Sequence, residues 1–287
     1  MRLAIISGKG GTGKTTVAVN LALYLQKEGQ KVCLADCDVE EPNAHFFLDA
    51  AWSRENRQTV AVPEIDNTKC LGESCLQCVN ECRFNSLIWM ADRVMVFSEL
   101  CHACGLCFFL CPVQAVDEST REIGLVRHGK GRGVEVCGGL LRIGEAMAPP
   151  LIRRVLKSTP GQGIVIADAP PGTSCPVMET LRDVDYVILV GEPTPFGLHD
   201  FKIAVELVRK LGLALGTVIN RDGMGDDQME KYIRHERLPL LARLPYSRQA
   251  AAACSRAEPL LEAMPEFKEI YRNMWENLQK EMQAGGK

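Results

Sequence analysis

An α/β fold built on a parallel sheet, interrupted by a smaller cysteine-rich α+β insert, is predicted by three observations. Short apolar runs alternate with amphipathic helical stretches along most of the chain. The first run is followed at once by a glycine-rich loop and a helix. Eight of the thirteen cysteines fall between Cys70 and Cys111, where long helical periodicity disappears.

Residues Arg2 to Ser7 read as a buried strand. From Lys14 to Lys27, Val17, Leu21 and Leu25 recur at helical spacing, and Gly29 ends the helix. Lys31 to Asp36 gives a second strand, so the unit is strand, loop, helix, strand, which implies a parallel pair with a right-handed crossover. The theme returns in Ile164 to Asp168, Tyr186 to Val190 and Gly216 to Asn220, separated by helical stretches such as Asp200 to Leu211. This divides the chain into residues 1–59 and 118–287, two parts of one α/β domain, and residues 60–117, the insert. Glu118 to Gly139, rich in Gly, Arg and Lys, reads as an exposed connection or hairpin, with the α/β pattern resuming near Gly144. In the last stretch Phe267, Ile270, Tyr271, Met274, Leu278 and Met282 share one helical face. Its polar face mixes Glu269, Glu276 and Glu281 with Lys268, Arg272 and Lys280, without the basic excess that anionic lipid favours, so docking on the sheet is expected.

Composition narrows the function classes. A fold of 287 residues buries roughly 75% of its unfolded surface and needs no covalent staple. Lys and Arg total 33 against 36 Asp and Glu, a net charge of -3 with no block of like charge, so no nucleic-acid partner is expected. The first apolar run is too short for a secretory signal, and no stretch approaches 18 apolar residues. The expectation is a cytoplasmic chain with no integral membrane segment. An odd cysteine count without such a signal points to metal or redox chemistry rather than a secreted disulfide framework.

Gly8-Lys9-Gly10-Gly11-Thr12-Gly13-Lys14-Thr15 fits G-x-x-x-x-G-K-[ST] directly between a strand and a helix, the context of a phosphate-binding loop. Glycines let backbone N–H groups close on phosphates, the helix N-terminus adds its dipole, Lys14 reaches the β and γ oxygens, and Thr15 ligates magnesium. Thr16 extends the candidate nucleotide set. A glycine-rich turn without a ligand would not need Lys14 and Thr15.

With Lys9 the loop becomes K-G-G-T-G-K-T, which resembles the deviant Walker A loop of the MinD-type ATPases and the nitrogenase iron protein. The resemblance implies an ATP-sandwich homodimer in which Lys9 crosses to the partner's nucleotide. By the same resemblance Asp36-Cys37-Asp38 is switch I, with Asp38 positioning or activating the attacking water, and Asp168 is the Walker B carboxylate that holds magnesium through water. Ala169-Pro170-Pro171-Gly172-Thr173 is similar to switch II, and Asn220 stands where the family reads adenine. An aspartate at a strand end is common by itself; order and spacing carry these assignments.

Cys101-x2-Cys104-x2-Cys107-x3-Cys111-Pro112 is the bacterial ferredoxin run, in which three cysteines bind one 4Fe-4S cluster and the fourth a neighbouring cluster. Soft, charged thiolates suit iron in such clusters. The upstream set, Cys70-x4-Cys75-x2-Cys78-x3-Cys82, widens the first interval and has Arg83 where Pro is usual. Either the loop bulges to close a 4Fe-4S cluster, or Cys70 is displaced and a 3Fe-4S or labile cluster results. Cross-ligation, as in two-cluster ferredoxins, puts Cys70, Cys75, Cys78 and Cys111 on one cluster and Cys101, Cys104, Cys107 and Cys82 on the other. Zinc sites come as two C-x2-C pairs across a longer loop, which this spacing does not follow.

Over nearly its full length, including Leu141-x-Ile143-Gly144-Glu145 and Leu244-Pro245-Tyr246, the chain is similar to MinD-superfamily ATPases that contain an inserted ferredoxin domain. Cys33, Cys37 and Cys254 read as small core residues. Cys137 and Cys175 are structural or free thiols or, by resemblance to the nitrogenase iron protein, ligands of a third, subunit-bridging cluster. The implied function is ATP hydrolysis that couples dimer closure to electron transfer, or to iron-sulfur or metal-cofactor delivery, toward a redox partner or an apo-protein acceptor. The rival is a positioning or scaffolding ATPase whose clusters are structural. An amidating synthetase on the same nucleotide fold ranks last, because no glutaminase segment is recognisable.

Overall fold

The computed structural model describes residues 1–285. Its strands, in chain order, are β1 (Arg2–Ile6), β2 (Val32–Asp36), β3 (Ala51–Ile65), β4 (Leu87–Met90), β5 (Arg93–Val96), β6 (Val116–Gly131), β7 (Val134–Leu141), β8 (Ile164–Asp168), β9 (Tyr186–Gly191), β10 (Leu215–Asp222) and β11 (Leu240–Pro245). Nine form one sheet in the order β11-β10-β9-β1-β8-β2-β7-β6-β3, while β4 and β5 pair separately. From β11 to β7 every pairing is parallel. β6 and β3 then extend the sheet antiparallel.

The parallel strands are apolar on both faces because helices cover both. Leu3 and Ile5 of β1 face a core shared with helix Lys14–Lys27 and the last helix, whereas Ala4 and Ile6 face Val205 and Phe201 of helix Pro195–Lys210. A third cluster packs β2 against helix Ala148–Lys157. The last helix, Phe267–Gly285, docks as its apolar stripe requires: Phe267, Tyr271, Met274 and Leu278 are buried, and Ile270 and Met282 pack beside them.

The segment Glu118 to Gly139 is a hairpin, but not an exposed one. β7 lies in parallel register beside β2, Ala35 opposite Cys137, with Val134, Val136 and Cys137 buried. The main sheet therefore resumes well before Gly144. Its Gly, Arg and Lys content disguised it because β6 turns several polar side chains outward.

β3 and β6 are long, 15 and 16 residues, and pair from Ala51–Lys130 out to Ile65–Val116. Residues 66–115 hang from the far end of these two arms as a smaller unit of the β4–β5 ribbon and short helices at Gln77–Asn80 and Leu106–Leu110. A buried arginine, held by a carboxylate of the body, ties this unit to it. Arg121 on β6 pairs with Glu145 and also donates to the Cys101 carbonyl at 3.2 Å, while Glu145 accepts the Met147 N–H at 3.0 Å. Among the described residues no helix is long and apolar enough to cross a membrane.

Candidate functional site

The loop from Ser7 to Gly13 lies at the carboxyl ends of the parallel strands, where α/β sheets bind ligands. Two glycines are required by geometry. A Cβ on Gly8 would stand 2.3 Å from the Asp200 carbonyl oxygen, and Gly13 has φ +93° with Asn220 Nδ2 only 2.2 Å from where its Cβ would be. Gly13 then caps helix Lys14–Lys27 without a side-chain hydrogen bond, which leaves the first-turn N–H groups free for an anion.

Lys14 is buried, with 7% of its surface exposed. Thr15 donates from Oγ1 to Asp168 Oδ2 at 2.6 Å. Asp168, at the end of β8, is fully buried, and its Oδ1 has no hydrogen-bond partner among the described residues. Burial pushes its carboxyl upward, opposed by Lys14 and Thr15. An orphaned carboxylate oxygen beside a threonine hydroxyl suits a hard divalent cation, and the nearby Lys14 ammonium suits the phosphate that would accompany it.

At the end of β2 the two aspartates divide. Asp36 is buried and accepts N–H bonds from Asp38, Asn43 and Ala44 at 3.1–3.2 Å, so it holds the following loop. Asp38 is less enclosed, and burial, against the pull of Lys14 and with the push of Asp168, raises its carboxyl to about 6. Gly172, in the segment expected to be switch II, donates to the Ser7 carbonyl at 3.1 Å. The sequence-derived residues of β1, β2 and β8 thus converge on one cradle.

Asn220 donates to the Thr12 carbonyl at 2.7 Å and lines a cavity with Gly13, Thr16, Arg221, Tyr246 and Cys254. Cys254 packs at the edge of the main core, as expected, and also forms part of this cavity's wall, its Sγ 3.7 Å from Thr16 Oγ1. Lys9 does not extend into solvent: its Nζ contacts Glu192 Oε1 at 2.5 Å. Glu192 and Arg221 escaped the sequence reading. The available signal was a charged residue closing the fully apolar β9, the pattern that drew attention to Asp36 and Asp168.

The insert cysteines gather in two groups. Cys70, Cys75, Cys78 and Cys111 line one small cavity, and Cys78 stands near enough to the others that, after burial itself, the charges of Cys70, Cys111 and Cys75 push its thiol up. Cys82, Cys101, Cys104 and Cys107 line a second cavity, which Cys78 also borders. Burial, with Cys101 and Cys104 adding, pushes Cys107 up to about 11. Among the described residues no three His, Cys, Asp or Glu side chains close on a single metal ion. Cys137 is buried inside β7, its Sγ 3.7 Å from Cys33 and 3.3 Å from His128 Nδ1, whereas Cys175 is exposed.

Residues 3–260 match the model of the CobQ/CobB/MinD/ParA nucleotide binding domain. An uncharacterised protein of Methanocaldococcus jannaschii is 32% identical over 79% of this chain and 82% of its own length. An iron-sulfur cluster carrier protein of the same organism is 25% identical over 97% of this chain and 85% of its own. Among solved structures, the septum site-determining protein MinD of Pyrococcus horikoshii, complexed with Mg-ADP, aligns with a TM-score of 0.61 at 21% identity, covering 97% of this chain and 96% of that one. By this match, with the phosphate loop at Gly8 to Thr15 inside the matched residues, the chain belongs to the CobQ/CobB/MinD/ParA nucleotide-binding family and is a P-loop ATPase of the deviant Walker A type.

Proposed function

We propose that the chain is an ATP-switched homodimer that positions or scaffolds a partner through its cysteine-bearing insert, and that the eight insert cysteines hold two 4Fe-4S clusters. One observation carries this reading: a phosphate-loop cradle sits on the same sheet whose antiparallel arms hold the cysteine unit. The likeness in fold to a septum site-determining protein favours positioning over electron transfer.

In this reading the backbone of Gly8 to Thr15 and the ammonium of Lys14 bind the β and γ phosphates. Thr15 and Asp168 hold magnesium, which when bound offsets phosphate charge. Asp38 orients the attacking water and, when ionised, accepts its proton; Thr16 and Asn220 line the base cavity. Lys9 engages the partner subunit's nucleotide. The donor set of the insert fits clusters, since the eight thiols divide four and four between the two cavities, with Cys78 on the border of both: Cys70, Cys75, Cys78 and Cys111 for one, and Cys82, Cys101, Cys104 and Cys107 for the other. Bound clusters would supply a fixed interaction surface.

A second reading, electron transfer or cluster delivery to a redox partner or apo-protein, is favoured by the exposure of Cys104 at the second cavity and by the likeness to an iron-sulfur cluster carrier. Anaerobic purification with iron, sulfide and visible absorption measured, followed by ATP turnover before and after dithionite, separates the two. Turnover and partner binding that ignore cluster reduction support positioning; a response to reduction supports electron transfer. A sample without iron and sulfide would remove the clusters from both.

A further inference from the structure

Glu192 closes β9 with its side chain only 7% exposed, between two cations at the rim of the phosphate loop. Oε1 accepts from Lys9 Nζ at 2.5 Å and from Thr194 Oγ1 at 3.2 Å; Oε2 accepts from Arg221 Nη1 at 2.8 Å. Arg221 in turn donates from Nη2 to the Gly11 carbonyl at 2.9 Å, inside the loop. Burial alone would raise this carboxyl, but the Lys9 bond and charge, with Arg221, outweigh it and keep it ionised.

We propose that Glu192 is the positioning residue for Lys9: it holds the Lys9 ammonium beside the loop of the resting chain, and that bond must break before Lys9 can engage a phosphate. This rests on the homodimer reading of Lys9 given above. The physical case is one of competition. A nucleoside triphosphate above the loop is a polyanion, and it competes with the Glu192 carboxylate, 2.5 Å from Lys9 Nζ, for the same charge; to reach out to the partner subunit's nucleotide the ammonium has to leave this intrachain contact. Arg221 and Thr194 remain on Glu192 when Lys9 leaves, so release does not strand a buried charge without partners. Replacing Glu192 by the isosteric Gln should lower the threshold for closure.

Two measurements test this. In the nucleotide-free protein, the acylation rate of Lys9 by a succinimidyl ester, followed by peptide mass spectrometry with the exposed Lys268 as internal standard, should rise several-fold in Glu192→Gln. An unchanged rate shows that Glu192 does not hold Lys9 and overturns the proposal whatever the oligomeric state. Sedimentation with a non-hydrolysable ATP analogue should show Glu192→Gln dimerising at about tenfold lower protein concentration than the native chain, a gain that vanishes in Lys9→Ala. Weaker dimerisation of Glu192→Gln, or a gain that persists without Lys9, would also overturn it. A native chain that never dimerises while Glu192→Gln still frees Lys9 would sink the homodimer reading and leave the Glu192 contact standing.

Discussion

Lys14 and Asp38 put the sharpest chemical demands on single residues. Lys14 is buried at the start of its helix, so Lys14→Ala removes a positive charge from a low-dielectric site and should lower ATP turnover by about 100-fold or more. Iron content should stay at the native level, because the insert folds around its own ligands. Turnover near native would refute the assignment. Asp38 gives a pH signature. With its carboxyl raised to about 6 in the free chain, kcat/KM should fall as pH drops through about 6, since the protonated acid cannot accept a proton. Asp38→Asn should lower turnover by about 100-fold or more and leave a residual rate without that inflection; a flat native profile from pH 5 to 8 would exclude Asp38 as the base. The same shift acts on stability in the opposite sense to an ordinary paired aspartate. A folded carboxyl raised above its unfolded value contributes stability that is fully present below about 4 and is lost as pH rises through about 6.

At the scale of the element, the last helix is the part of the fold whose role follows most directly from its sequence stripe. Tyr271 is fully buried, and its hydroxyl donates to the Thr16 carbonyl at 3.4 Å, so this helix backs the one that carries the phosphate loop. Tyr271→Ala should cost about 3–5 kcal/mol, read as a lower urea midpoint at constant slope, through the cavity it leaves. Tyr271→Phe keeps the ring and should cost about 1 kcal/mol or less, because the long hydroxyl contact is weak. Equal losses for the two variants would show that the hydroxyl, not the packing, holds the helix.

Across the whole molecule, the two parts meet where Arg121, held by Glu145 of the body, donates to the Cys101 carbonyl of the cysteine unit. Both side chains are at least nine-tenths buried, and the pair links β6, the Cys101 carbonyl and the loop before helix Ala148–Lys157. Arg121→Met alone leaves Glu145 charged and enclosed, and should destabilise by about 3–5 kcal/mol. The double variant Arg121→Met, Glu145→Leu should recover much of that loss, since an apolar pair of similar volume removes the desolvation cost. Calorimetry of the three proteins checks this; a double variant no more stable than the single one would mean that the lost Cys101 carbonyl contact, not the stranded Glu145 charge, carries the cost.

The phosphate loop, the second strand with its two aspartates, the apolar strand ending in Asp168 and both cysteine runs were legible in the sequence because each is a contiguous spacing, set by local backbone geometry. The amphipathic face of the last helix was legible for the same reason. Strand order was not. β3 is largely polar from Ser53 to Gln58 because it forms the exposed sheet edge, β6 carries glycines, arginines and a lysine, and two adjacent glycines interrupt β7, so the local pattern did not mark them as sheet. Only the folded chain brings Lys9 to Glu192, 183 positions away, turns Cys254 toward the cavity beside Thr16, and buries Cys137 against Cys33. Those pairings depend on which strands lie side by side, and long-range register leaves no mark in a local stretch of residues.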